Sequence, residues 1–208
     1  MRFLIISVFF ILLFPSCGIP TIKGLPEYNS TLTEFSNPYF SDINIDYVYK
    51  AKINAYDHVF GGMLIIKKIK NDNHRIVFTT NFGNKIFDFE LLNGDLKTHY
   101  IMEKLNRNII INTLKHDFET LTQEHNKIHR AFKKEQQYLM YQSKTKNRYN
   151  HYIILDATRE LAEIIHTSKT KEKIIIKFDD IQDSIATSIS IQHKKSPIKI
   201  ELDFLNNN

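Results

Sequence analysis

The chain has 208 residues, of which 42% are hydrophobic, enough for one domain with a core of its own. Its formal net charge of +5 is spread along the sequence, and its longest basic interval, 127–148, also contains Glu135. A nucleic-acid-binding surface is therefore not expected. The single cysteine, Cys17, excludes a disulfide within the chain.

Residues 1–16 have the composition of an export signal. Arg2 precedes a largely apolar run from Phe3 to Phe14. As a helix this run covers roughly 18 Å, well short of the roughly 30 Å hydrocarbon core of a bilayer. We therefore expect a cleaved signal peptide rather than a membrane-spanning segment.

The position of Cys17 resembles the lipobox of bacterial lipoproteins, because Ser16 precedes it and Gly18 follows it directly after the apolar run. Phe14 stands where that motif usually has leucine. The resemblance implies cleavage before Cys17 and a diacylglycerol on its sulfur, with the membrane as partner. Each buried methylene of such an anchor contributes about 0.8 kcal/mol. The alternative is an ordinary leader with an incidental cysteine.

Residues 17–44 are predicted to be the lipidated cysteine and a tether. Pro20, Gly24, Pro26 and Pro38 interrupt a polar sequence there and prevent a long helix. No acidic run follows the cysteine closely, which favours an outer-membrane protein that faces the periplasm.

Residues 45–208 are predicted to form one domain made mainly of strands. Apolar and polar side chains alternate in 46–53, as in a half-buried strand. From 61 to 101, turn signals lie about a strand length apart and predict an antiparallel meander that opens with a glycine pair, which permits close backbone approach. The turns are Asn71-Asp72-Asn73, Asn81-Phe82-Gly83-Asn84 and Asn93-Gly94-Asp95.

One helix is predicted from Leu114 to Phe132, where apolar residues recur at spacings of three and four, after a short strand at 108–111. His125 and His129 would share a face of this helix, as metal ligands do. Asparagine follows His125 where a metalloprotease helix has glutamate. We interpret both histidines as solvated and expect neither a metal nor a cofactor.

A second set of strands is predicted after this helix, at 138–142, 149–155, 161–166, 173–178, 184–192 and 197–205. The segment 161–166 equally fits a helical turn. With so many strands and one helix, we expect a mainly β fold: a strongly curved antiparallel sheet, or incomplete β-barrel, with a covering α-helix.

The order of these parts resembles the LolA/LolB family of lipoprotein carriers and receptors. The likeness lies in Gly62-Met63-Leu64, in the segments 74–78 (HRIVF) and 82–87 (FGNKIF), and in the closing 188–204 (SISIQHKKSPIKIELDF). The resemblance implies a half-barrel whose concave apolar face, closed by the helix, accommodates acyl chains.

A set of apolar residues would then line that cavity, and burial of acyl chains there needs no catalytic group. The set is Ile76, Phe78, Phe87, Phe89, Ile198, Ile200 and Leu202. The alternative is that the same residues fill an ordinary core. Arg75 is a candidate contact for a lipid headgroup or a lid, and its alternative is a surface ion pair.

We therefore expect a monomeric, non-enzymatic lipoprotein of the bacterial outer membrane that binds acyl chains of lipids or lipoproteins, with a role in lipoprotein localisation. The alternative is an anchored, non-catalytic scaffold that binds another envelope protein through a sheet edge or the helix. An enzyme is not expected, because the sequence has no GxSxG elbow and no phosphate-binding glycine loop.

Overall fold

The computed structural model describes residues 19–135 and 137–205. The predicted leader and Cys17 lie outside these ranges, so cleavage and lipidation remain predictions. In the described part of the chain, no helix is long and apolar enough to cross a membrane.

Within these ranges the chain forms thirteen strands and one α-helix. The strands are β1 (Glu34–Ser36), β2 (Asp46–Ala55), β3 (His58–Lys70), β4 (Asn73–Thr79), β5 (Lys85–Leu92), β6 (Asp95–Ile101), β7 (His125–Lys134), β8 (Tyr138–Thr145), β9 (Arg148–Leu155), β10 (Leu161–Ser168), β11 (Glu172–Gln182), β12 (Ile185–His193) and β13 (Ile198–Phe204), and the helix is α1 (Asn108–Thr122). Short 3-10 turns occupy Pro20–Ile22 and Glu103–Leu105.

All the strands belong to one antiparallel sheet, in the order β1-β7-β8-β9-β10-β11-β12-β13-β2-β3-β4-β5-β6. Two meanders, β2 to β6 and β7 to β13, join where β13 pairs with β2 and Ile200 lies opposite Ile53. The helix α1 connects β6 to β7 and so links the two ends of the unclosed sheet. The predicted fold class, a large open antiparallel sheet with a covering helix, is confirmed.

The alternation of apolar and polar residues, together with the residue types at the turns, explains where the strands form. In β2, Tyr47 and alternate residues after it are buried, as the sequence predicts. The predicted turns have positive φ at Asp72, Asn93 and Gly94. A Cβ atom on Gly62 would lie 1.8 Å from the carbonyl oxygen of Thr79, so the close approach of β3 and β4 requires glycine there.

The helix lies earlier in the chain than predicted. It begins at Asn108, where a short strand was expected, and it ends at Thr122 rather than Phe132. Its inward stripe has spacings of four, four and three and consists of Ile110, Leu114, Phe118 and Leu121. Burial of this stripe outweighs the weak helix propensity of the isoleucines at 109–111.

The expected second half of the helix is strand β7. Its pairing with β8 shifts register between Ile128 and Arg130. Ile128 and Ala131, three residues apart, therefore both contact the main core, whereas Phe132 is buried on the other face of the sheet. This bulge breaks the strand alternation and leaves apolar spacings that resemble those of a helix. The segment 161–166, left open by its sequence, belongs to strand β10.

Part of the predicted tether packs into the domain. Phe35, Tyr39 and Phe40 are buried in the main core, and β1 pairs with β7. The domain boundary expected at residue 45 therefore differs from the structure, in which packing already includes β1. The prolines prevent a long helix in this segment, but they do not prevent burial of its aromatic side chains.

The sheet has a core on each face. The main one lies between the concave face and α1, where the ring of Phe87 stacks on that of Phe89 at 4.6 Å and lies 5.9 Å from that of Phe118. A smaller cluster on the other face is covered by Ile22 and Leu25 from the N-terminal segment. The helix therefore covers the larger of two apolar surfaces.

Candidate functional site

The structure brings the predicted cavity residues together under α1. All seven are buried, with 3% exposure or less. Ile76, Phe78, Phe87, Phe89, Ile200 and Leu202 belong to the core that also contains Leu114 and Phe118 of the helix, and Ile198 is buried outside that cluster. In this closed arrangement they pack against one another and the helix.

The two ends of α1 are held very differently. At the N-terminal end, Arg107 occupies the N-cap position without a side-chain hydrogen bond, and the first turn has no acidic residue. The free N–H groups and the helix dipole are therefore unsupported by side chains there.

At the C-terminal end, buried polar side chains bind the helix to the sheet. Nδ2 of Asn37 donates to the carbonyl oxygen of Leu121 at 3.0 Å. The ammonium of Lys68, a residue that is only 8% exposed, lies 2.6 Å from Oε2 of Glu124 just after the helix. Because buried partners left unpaired cost more than surface ones, this end is the firmer attachment.

A polar cavity of about 380 Å³ lies beside the C-terminal half of α1. Its lining comes from the helix, from the turn after β5 and from the ends of β8 to β10. Its lining includes His74, Leu91, His116, Glu119, His125 and His166. None of the seven predicted cavity residues lines it.

A second cavity of about 310 Å³ lies beside the N-terminal half of α1, against the ends of β9 to β12. We call it the basic cavity. It is lined by the cationic and imidazole side chains of His116, Arg148, His166, Lys173, His193 and Lys195, together with Thr113, Ser168, Ile174 and Ser196. His116, Arg148 and His166 line both cavities.

His166 is oriented by a chain of partly buried hydrogen bonds. Its Nδ1 donates to Oδ1 of Asn150 at 2.7 Å, and Nδ2 of Asn150 donates to the hydroxyl of Tyr152 at 3.2 Å. The other ring nitrogen, Nε2, is therefore the acceptor in the neutral ring. Burial, together with the nearby Arg148, lowers the pKa of His166 to about 4.

A buried Asp117–His193 pair lies behind the basic cavity, and His193 is the member that lines it. Asp117 is fully buried on α1, and its Oδ1 lies 2.9 Å from Nε2 of His193. Neither atom has a partner in hydrogen-bonding geometry among the described residues. Burial raises the pKa of Asp117 well above its usual range and lowers the pKa of His193, so the pair favours neutral forms.

Arg75 lies away from both cavities. On β4, its Nε donates to Oδ1 of Asp88 at 2.6 Å, and Lys85 donates to Oδ2 of the same carboxylate at 2.7 Å. Burial raises the pKa of Asp88, but these two hydrogen bonds outweigh it and leave the pKa below its usual value. Arg75 therefore has the contacts of an ion pair in this structure.

The histidine pair of the sequence does not share a helix face. His125 and His129 lie on β7, where four residues along a strand span roughly 13 Å. Nδ1 of His125 lies 2.8 Å from Oε1 of Glu34. Among the described residues, no group of three or more His, Cys, Asp or Glu side chains could hold a metal ion.

Sequence reasoning missed the basic cavity because its residues come from distant positions, such as Arg148, His166 and His193. One local signal was present. Asp117 lies between Leu114 and Phe118 in the apolar stripe of α1, so a charged residue at an inward helix position indicates a buried polar site.

Comparisons with known proteins give a likeness in structure but none in sequence. No protein-family model matches the chain, and no curated protein sequence matches it. Among solved structures, the chain is similar to the crystal structure of a LolA superfamily protein from Nitrosomonas europaea. The two share 13% sequence identity with a TM-score of 0.48, over 77% of this chain and 84% of that one. This likeness is too low to carry a functional argument, so the contacts within this chain must carry it.

Proposed function

We propose that this chain is a bacterial envelope lipoprotein, anchored through Cys17 on the periplasmic face of the outer membrane, that binds acyl chains of lipids or lipoproteins beneath α1. The observation that supports it is a helix that covers a concave apolar surface, is bound at its C-terminal end by buried polar side chains and has no side-chain cap at its N-terminal end. The protein works as a monomer without a cofactor and serves lipoprotein localisation.

The contacts of the helix would allow its N-terminal end to move away from the sheet while its C-terminal end stays attached. Polar cavities of about 380 and 310 Å³ lie beside its two halves, and its contacts with the main core come from the inward stripe. Displacement of the uncapped N-terminal end, about the attachment of Leu121 and Glu124, would expose the aromatic rings of β4 and β5.

An acyl chain would then replace the helix side chains against these rings. Transfer of a methylene from water to such a surface gains about 0.8 kcal/mol, so a long chain offsets the apolar contacts that Leu114 and Phe118 lose. This exchange requires no positioned catalytic group, since the driving force is hydrophobic.

Photocrosslinking tests the proposal directly. The full chain, reconstituted in vesicles of phosphatidylethanolamine and phosphatidylglycerol, is irradiated with a fatty acid that carries a diazirine at its methyl end. Mass spectrometry of peptides should find the label on 76–89 and 198–202. Label confined to the outward face of the sheet, or to residues near Cys17, would overturn the proposal.

Two helix variants serve as a matched pair in this experiment. Phe118 is fully buried under α1, whereas Ile109 is 59% exposed on the same helix. Phe118→Ala should increase labelling of the peptide that contains Phe87, because it removes the ring that covers it. Ile109→Ala should leave the labelling unchanged. Circular dichroism establishes that both variants are folded.

A second candidate function, an anchored scaffold, is favoured by strand β6. This strand is the last of the sheet in the described part of the chain, and its Tyr100 is 45% exposed. Such an edge can pair with a strand of another envelope protein. If this pairing occurs, a photoreactive amino acid at position 100 should crosslink a partner in cells, and Thr98→Pro should abolish the crosslink.

A further inference from the structure

We propose that the basic cavity is a binding site for a phosphate-type oxyanion. This site goes beyond the proposed function, because its residues lie beside α1 and not beneath it. An oxyanion can occupy it while the helix remains closed. The shared chemistry, a phosphate group, can come from free phosphate or from a lipid headgroup.

The lining carries hydrogen-bond donors and no carboxylate. Arg148, Lys173 and Lys195 supply cationic donors, and Ser196 supplies a hydroxyl group. The hydroxyl groups of Thr113 and Ser168 already donate to the backbone carbonyls of Ile109 and Lys171. A cleft lined by charges of one sign attracts the opposite sign, and guanidinium and ammonium groups are the usual partners of phosphate. The free donors come from β9, from β11 and from the loop after β12, which suits an anion with more than two oxygens.

The three cations of the rim have no ion-pair partner at contact distance, although the hydrogen bond from His116, together with the nearby Arg148, lowers the pKa of Glu119. Among the described residues, no carboxylate lies within 4.0 Å of the side-chain nitrogens of Arg148, Lys173 or Lys195. The neighbouring Lys194, by contrast, has Glu172 at 3.9 Å. The ammonium groups of Lys171 and then Lys173 lower the pKa of Lys195, as expected for like charges held together. An anion in the cavity would relieve this repulsion.

The contacts of Arg148 point to the same conclusion. Its Nη1 lies 3.1 Å from Nδ1 and 3.2 Å from Nε2 of His116, which sits on α1. A neutral imidazole has only one acceptor nitrogen, so this contact satisfies at most one of the five guanidinium N–H groups. Several donors of Arg148 therefore remain for a ligand.

Two histidines give the cavity a fixed inner wall. Asn150 holds one ring nitrogen of His166, and Asp117 lies against one ring nitrogen of His193. The second nitrogen of each ring is left without a partner among the described residues. In the neutral ring of His166 that nitrogen is an acceptor, so it donates to an anion only after it binds a proton. Because both rings are partly buried, a bound anion acts on them at a lower local dielectric than water.

The test is isothermal titration calorimetry of the full chain in detergent micelles with two probes, inorganic phosphate and dihexanoyl phosphatidic acid. Similar dissociation constants for the two support the site with free phosphate as the source. Tighter binding of the phosphatidic acid supports it with a lipid headgroup as the source. Failure of both probes to bind at millimolar concentration overturns the proposal.

Variants of β11 and of the loop after β12 locate the binding. The double variant Lys173→Gln, Lys195→Gln should weaken phosphate binding about tenfold, since two unpaired cations are lost. Lys177→Gln is the matched control, because Lys177 is exposed on the same strand and lines neither cavity. Wild-type affinity in the double variant, or equal loss in the control, contradicts the site.

This outcome is separable from that of the fatty-acid experiment. Phosphate binding by a chain that shows no fatty-acid label beneath α1 would keep the oxyanion site and remove the acyl-binding proposal. A fatty-acid label without phosphate binding would do the reverse.

Discussion

The surface beneath α1 and the space beside it differ in chemistry, and we call them the apolar flank and the polar flank. Beneath the helix, the aromatic rings of Phe78, Phe87 and Phe89 form a packed apolar surface. Beside it, Arg148 and His193 and their neighbours line polar space. The first surface follows the alternation along single strands, whereas the second gathers the ends of many strands and needs the curvature of the sheet. The helix is thus held by hydrophobic burial on one flank only.

The apolar flank should give the largest effect on stability. Phe87 is fully buried and packs on the rings of Phe78, Phe89 and Phe118. Phe87→Ala should lower the free energy of unfolding by about 3–5 kcal/mol, from lost transfer energy and a residual cavity. Urea titration measures it, with Phe82→Ala as control, because Phe82 is 94% exposed. A small change at Phe87 would mean that the space beneath α1 is already loosely packed.

The polar flank contains a group that should reduce stability. Burial raises the pKa of Asp117 above its value of 3.8 in the unfolded chain, so ionisation favours unfolding increasingly as the pH rises above 3.8. Asparagine cannot ionise. Asp117→Asn should therefore increase the free energy of unfolding at pH 8 by about 1–3 kcal/mol, the scale of an unsatisfied buried polar group.

The pH dependence distinguishes this effect from a change in packing. The gain of Asp117→Asn should shrink toward zero at about pH 3, where the unfolded carboxyl is largely protonated. His193 is the one basic side chain within 4.0 Å of Asp117 in the described residues, and the substitution leaves it in place. Lower stability of the variant at pH 8 would show that the ionised pair stabilises the fold.

The fold and the apolar flank could be predicted because their signals are local. Alternation predicts β2 and β13, and the Asn-Gly turns predict the first meander. The limits of α1 could not be predicted, because the bulge in β7 mimics helical spacing and the isoleucines at its start resemble a strand. The basic cavity depends on contacts between residues as distant as Asp117 and His193.

A substitution at the uncapped N-terminal end of α1 should have a smaller effect on stability, and it tests whether the helix opens there. Arg107 has extended backbone geometry at the N-cap, which suits an aspartate that accepts from the free N–H groups. Arg107→Asp should stabilise the closed helix by about 1 kcal/mol and lower photocrosslinking of the fatty acid. Amide hydrogen exchange of 108–114 measures the opening. Unchanged exchange would show that this end is not where the helix opens.

The smallest predicted effect is a difference in how phosphate changes the pKa of two histidines whose pKa is lowered to the same extent. Burial first of all lowers the pKa of both His151 and His166 to about 4. His166 lines the basic cavity, whereas both ring nitrogens of His151 have partners, Gln142 and the carbonyl of Ile165. Phosphate should therefore raise the pKa of His166 by at least about half a unit, roughly 0.7 kcal/mol, and leave that of His151 unchanged. Nitrogen-15 NMR titration of the full chain, with and without phosphate, measures both. A rise at both rings would indicate a global change, and a rise at neither would place the anion elsewhere.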